Sequence, residues 1–232
     1  MADQLSIKPS GILYLKMDSE FTLPLLNQEE QRVLGSLIEK SRTTPDYYPM
    51  SLNGLQSACN QKSSRSPIVQ YSEETIVQTL DSLKKKGLIS TVSGGTGRVI
   101  KYKHNLAIVY PLVPAELSVI CLLLLRGALT PGEINSNSAR LYEFESLEEV
   151  NNTLQGLSLP ERRFVKALER RPGQKEVRYI HLLGVYQEEH ENSGFSTEEQ
   201  PSIAALEQRV QTLENELYEL KTAFNKLMDE PS

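Results

Sequence analysis

Two stretches of this chain repeat one another, and that duplication limits the folds open to it. Ser72, Glu74, Ile76, Leu80 and Leu83 recur as Ser146, Glu148, Val150, Leu154 and Leu157, at a constant offset of 74. Lys101-Tyr102-Lys103-His104 returns more loosely as Arg178-Tyr179-Ile180-His181. Self-similarity of this kind marks a structural unit used more than once.

The first copy reads as three helices and a hairpin. Asn27 can cap a helix, with Glu30 completing a capping-box pair. Val33, Leu34, Leu37 and Ile38 follow at helical spacing. The segment Thr43-Thr44-Pro45-Asp46-Tyr47-Tyr48-Pro49 ends that helix, since each proline restricts the residue before it. Ser51 opens a second short helix carrying Leu52, Leu55, Ala58 and Cys59. After a polar stretch, Asn60 to Tyr71, Ser72 caps a third helix, and Gly87 suits the left-handed position that closes it. Leu88 to Val92 and Arg98 to His104 flank a glycine-rich tip and read as a β-hairpin. Three helices and then a hairpin is the winged-helix order, a variant of the helix-turn-helix.

The second copy follows the same plan. Pro114 suits a first helical turn, and that helix runs to Arg126. Thr130-Pro131 starts a second helix and Ser146 caps a third. Phe164 to Leu168 and Val177 to Leu183 form a hairpin around Arg171-Pro172-Gly173. The predicted fold class is α+β and mostly helical, with two tandem winged helix-turn-helix domains and a C-terminal coiled-coil helix. Its boundaries are an N-terminal extension over 1–26, winged-helix domains over 27–112 and 113–184, an acidic flexible linker over 185–202 and a coiled coil over 203–228.

The coil is read from a 3-4-3-4 seam. Ile203, Val210, Leu217 and Phe224 take the a positions, and Leu206, Leu213, Leu220 and Leu227 the d positions. A seam this narrow favours pairing between chains over packing against the chain's own domains, which is the alternative. A parallel dimer sets Arg209 against Glu214 and Glu216 against Lys221 across the pair.

Charge is distributed unevenly. The net charge is −5 overall, but residues 27–112 carry +4, 113–184 zero, and 185–232 carry −8. The acidity therefore sits in the tail, and a polyanion partner for the body is not excluded. The longest apolar run, Val119 to Leu125, is far too short for a membrane span. No basic start and apolar block mark a secretory signal, which predicts a cytoplasmic protein without a membrane partner. Cys59 and Cys121, each inside an apolar helical pattern, read as small core residues of a reducing compartment. No nucleophile–base set and no ligand cluster stand out, so no cofactor, metal site or enzyme is predicted.

Several stretches resemble the YceH-like family of bacterial proteins. They include Arg32-Val33-Leu34-Gly35, Thr43 to Pro49, Ser51-Leu52-Asn53, Ala58 to Ser63, Leu123-Leu124-Leu125-Arg126-Gly127, Thr130-Pro131-Gly132-Glu133 and Arg171 to Glu176. Ser66 stands where that family carries an acidic residue, and Ser158-Leu159-Pro160 departs from its usual junction. The resemblance implies tandem winged helices and carries over no catalytic residue.

Two basic regions are candidates for contact with nucleic acid. In the first copy they are Lys62 and Arg65 before the third helix, Lys84, Lys85 and Lys86 at its end, and Arg98, Lys101 and Lys103 on the hairpin. In the second they are Arg162, Arg163, Arg170, Arg171 and Lys175, with Lys166 and Arg178 nearby. The competing reading makes the lysine triplet a favourable helix end and the second region a solvated hairpin with cross-strand ion pairs. Glu73-Glu74 and Glu148-Glu149 open the third helices and oppose direct base reading. Tyr47 and Tyr48 form either a partner surface or a stiff turn packed on the core. His104 and His181 read as structural residues inherited through the repeat. The functional expectation is a dimeric, DNA-binding protein that uses its wings. The alternative is a tandem winged-helix scaffold that binds another protein.

Overall fold

The computed structural model describes residues 23–93, 99–170 and 175–184. Within them lie seven α-helices, one short 3-10 turn and five strands in small antiparallel sheets, an α+β fold about half helical. The linker over 185–202, the coil over 203–228 and residues Arg98 and Arg171 lie outside the described residues.

Helix α1, Gln28–Thr43, is the central element. Its start is the expected reciprocal cap. The Glu30 N–H donates to Asn27 Oδ1 at 2.8 Å, and the Asn27 N–H donates to Glu30 Oε2 at 2.9 Å. Every residue from Arg32 to Ile38 is buried, so this helix has no solvated face along that stretch. Leu34, Leu37 and Ile38 are almost fully enclosed, each contributing about 1.5–3 kcal/mol by transfer from water. Gly35 lies against helix α5, Pro114–Arg126. A Cβ built on Gly35 would stand 2.9 Å from Leu125 and 3.2 Å from Leu124. The two helices therefore approach backbone to side chain, and the Cys121 thiol donates to the Gly35 carbonyl at 3.5 Å.

The other elements follow their caps. Ser51 caps α2, Leu52–Cys59, and Ser72 caps α3, Glu73–Lys85. Thr130 caps α6, Pro131–Ser138, with Glu133 completing the box, and Ser146 caps α7, Leu147–Ser158. Each side chain supplies an acceptor to a helix-start N–H that has no partner within its helix. Gly87 takes φ +72 after α3, the left-handed value that releases the chain into the hairpin.

Strands β2, Ile89–Ser93, and β3, Ile100–His104, pair antiparallel with Ile89 opposite His104. A two-residue strand that the sequence did not signal, β1 (Met50–Ser51), pairs on the other side of β3, giving the order β1-β3-β2. In the second copy, β4 (Val165–Ala167) pairs with β5 (Tyr179–His181). A single bridge sets Leu129 opposite Tyr179, just as Met50 stands opposite Tyr102. Met50 and Leu129 each precede the cap of the next helix. A further short helix, α4 (Leu106–Val109), joins the copies. The buried side chains of both copies form one continuous apolar cluster.

Candidate nucleic-acid interface

The candidate cations fall into three groups. Some are tied to carboxylates. Arg65 has no exposed side-chain surface, donates to both Glu39 oxygens at 3.0 and 2.6 Å, and donates again to the Ala58 carbonyl. This corrects its reading as a phosphate contact: a guanidinium with no exposed surface cannot meet one. Lys86 donates to both oxygens of Glu30, at 2.7 and 2.6 Å, and to the Leu25 carbonyl. Arg162 forks onto both oxygens of Glu116 and stands 5.9 Å over the Phe164 ring. For these two as well, the bonds are structural. They tie α3 to the start of α1, and the segment after α7 to the start of α5.

A second group is open to solvent. Lys62, Lys84, Lys85, Lys101, Arg163, Arg170 and Lys175 are exposed, and Lys103 is half-buried. Lys101 and Lys103 alternate along β3 with Tyr102, so they leave the sheet on the face opposite the core-facing Ile89 row. Arg98 and Arg171, the third group, lie outside the described residues.

The third helices begin with negative charge. Glu73, Glu74 and Glu148 are exposed in the first turns of α3 and α7. Glu149 is half-buried and occupied, accepting from the Tyr142 hydroxyl and the Glu145 N–H at 2.8 Å each. A polar cleft of about 350 Å3 lies between α1 and α3. Its buried carboxylate, Glu30, is already committed to Ser82 and Lys86. Burial alone would raise that carboxyl, but these donors and the Asn27 N–H outweigh it and hold it below the ordinary range.

The tyrosine pair divides. Tyr48 packs on the core, its hydroxyl accepts the His104 N–H at 2.7 Å, and burial pushes its pKa up to about 12. Tyr47 is 78% exposed. Both histidines carry a buried Nδ1 without a hydrogen-bond partner. Burial lowers each to about 4, and Arg42 adds to the effect at His104. Cys59 and Cys121 are free and buried, and burial pushes both thiols up, Cys59 to about 11. Among the described residues no cluster of His, Cys, Asp and Glu could hold a metal ion. Among them too, no helix is long and apolar enough to cross a membrane.

Two residues of consequence escaped the sequence reading. Arg32 is 3% exposed and donates to the carbonyls of Cys59 and Pro67, fixing the loop that leads to α3. Arg126, at the end of α5, has a buried Nε with no partner. Only the position of Arg32 within a run of buried helical residues could have flagged it.

Comparison with known proteins agrees with the resemblance. A family model described as "Protein of unknown function, DUF480" matches residues 26–174. The chain is 44% identical to UPF0502 protein YceH of Escherichia fergusonii, over 88% of its own length and 96% of that protein. It is 44% identical to a UPF0502 protein of Shewanella pealeana, covering 88% and 99%. A UPF0502 protein of Opitutus terrae is 46% identical over 77% of each chain. With a family model matching residues 26–174 and relatives 44–46% identical over three quarters or more of each chain, the chain belongs to the DUF480 family of UPF0502 proteins.

Proposed function

We propose that this protein is a dimeric, nucleic-acid-binding protein made of two winged helices, which meets the phosphate backbone with its hairpins. The observation that carries the reading is the twofold order of three helices and a hairpin, with exposed cations placed on or beside the hairpins in both copies. Phosphate neutralisation needs several accessible cations and no exact geometry. The exposed acids at the starts of α3 and α7 oppose insertion of those helices against base edges, so binding carries little sequence preference. The heptad seam over 203–228 supports pairing of two chains, which doubles the phosphates met.

The test is binding to a mixed-sequence DNA duplex as a function of salt. Log affinity is expected to fall linearly with log salt, with a slope near −0.9 for each phosphate neutralised. Charge reversal of Lys84 and Lys85 should flatten that slope. Absence of binding at low salt removes the proposal. The second reading, a protein-binding scaffold, is favoured by the same exposed Glu73, Glu74 and Glu148. In that case a basic protein surface takes the place of DNA.

A further inference from the structure

The two copies correspond at more than their third helices. Asn27 and Val113 stand just before α1 and α5, with Glu30 and Glu116 three residues later, all at an offset of 86. Both glutamates are buried, and each accepts the N–H of the residue before its helix, at 2.9 and 3.0 Å. Each also holds a cation from the end of its own third helix or just beyond, Lys86 on Glu30 and Arg162 on Glu116. In the hairpins Tyr102 lies opposite Met50, and a single bridge sets Tyr179 opposite Leu129. The offset drops to 74 at the third helices because the second copy has a shorter first helix and shorter connections before that point.

Helices α1 and α5 meet at corresponding positions. Gly35 and Cys121 share the offset of 86, and the Cys121 thiol donates to the Gly35 carbonyl. Gly35 also lies against Leu125. The mirror of that pair is Cys121 with Glu39, and these two are near one another: burial raises the Cys121 thiol, and the Glu39 carboxylate adds to the rise. A surface that meets its own counterpart makes an isologous contact, which carries a twofold axis. Copies related by translation or a screw would meet through two different surfaces.

We propose that the two copies form an internal dimer about a local twofold axis, and that one body grips one nucleic-acid duplex with both hairpins, one on each strand. The ligand in this inference rests on the nucleic-acid reading; the twofold does not. Because its strands run antiparallel, a duplex has dyads across its axis, and a single strand has none. Twofold proteins match those dyads. Exposed cations stand in both halves: Lys84, Lys85 and Lys101 in the first copy, and Arg163, Arg170 and Lys175 in the second. A second chain is then not needed to complete the grip.

Two measurements on the full chain decide it, the first without nucleic acid. A twofold makes the distance from the first hairpin to the second copy's third helix equal to the reverse distance. Spin labels on Val99→Cys with Glu148→Cys, and on Glu176→Cys with Glu74→Cys, occupy exposed corresponding positions. Cys59 and Cys121 are buried and stay unlabelled. Labelled chain diluted into unlabelled chain reports only distances within one chain. Equal distances are expected, and two distributions that do not overlap overturn the internal dimer.

The second measurement is the salt slope on a duplex too short for two bodies. Leu213→Asp, which disrupts the heptad seam, should keep the wild-type slope. Lys84→Glu with Lys101→Glu, and Arg170→Glu with Lys175→Glu, should each lower the slope by about 1.8. The single strand of the same sequence should bind roughly tenfold more weakly or worse. A slope moved by one pair alone, a slope halved by Leu213→Asp, or a single strand bound as tightly as the duplex overturns the two-hairpin grip and leaves nucleic-acid binding standing. Absence of duplex binding at low salt removes the grip and the nucleic-acid reading together, and the label distances still decide the internal dimer.

Discussion

At the scale of single residues, the molecule separates charge that holds it together from charge that faces outward. Arg65, Lys86 and Arg162 look alike in sequence to Lys84 or Arg170, yet each is bound to a carboxylate more than 25 positions away. No local pattern reveals such a partner, because the pairing is decided only when helices pack. Removing one member of a buried pair strands the other and costs more than the pair itself is worth. His104 and His181 titrate within an accessible pH range. Both have folded pKa values near 4 against 6.5 for a free ring. As pH falls, the unfolded chain takes up these protons first. Stability is therefore full at pH 7, begins to drop below about 6.5, and has lost on the order of 3 kcal/mol per ring near pH 4. Urea midpoints measured from pH 7 to 4.5 should fall along this course. His181→Leu should show a shallower fall, and a wild-type midpoint that stays flat would contradict the burial of both rings.

At the scale of elements, the caps were the most legible feature. Asn27, Ser51, Ser72, Thr130 and Ser146 stand where the sequence placed them, because a helix start is a local event settled by one side chain and two or three N–H groups. The strand Met50–Ser51 and helix α4 were not legible. Two and four residues carry no periodicity, and both elements depend on neighbours that arrive from elsewhere in the chain. Exposed cations of the candidate interface were legible as charge, but Arg126 was not, since its interest lies in an atom that packing encloses. Two glycines give opposite expectations for the same substitution. Gly35→Ala drives a methyl into Leu125 at 2.9 Å and should cost about 1–3 kcal/mol from overpacking. Gly156 sits inside α7, and a Cβ there meets nothing within 4 Å. Gly156→Ala should therefore stabilise by about 0.5–1 kcal/mol through helix propensity. Chemical denaturation of both variants checks the sign of each. A stabilising Gly35→Ala would mean that the α1–α5 approach is looser than described.

At the scale of the whole molecule, the sequence makes a claim that its C-terminal heptads carry alone. With leucine at each d position from Leu206 to Leu227, a charge introduced at Leu213 falls in the middle of the seam. Leu213→Asp should turn a dimer at micromolar concentration into a monomer by light scattering, and an unchanged mass would reject the pairing. The duplicated body raises a different matter. Tandem repeats joined by a linker can drift apart in evolution or be cut apart at the bench, whereas these two copies meet through Gly35 at the centre of a shared interior. Severing the chain near residue 113 would expose the inner side of α1 on one fragment and that of α5 on the other. Neither half should persist in solution by itself. A shift of α1 by a single position along its axis would throw a side chain into the path of Leu124 and Leu125, so the register between these two helices is set by the one residue that has no side chain.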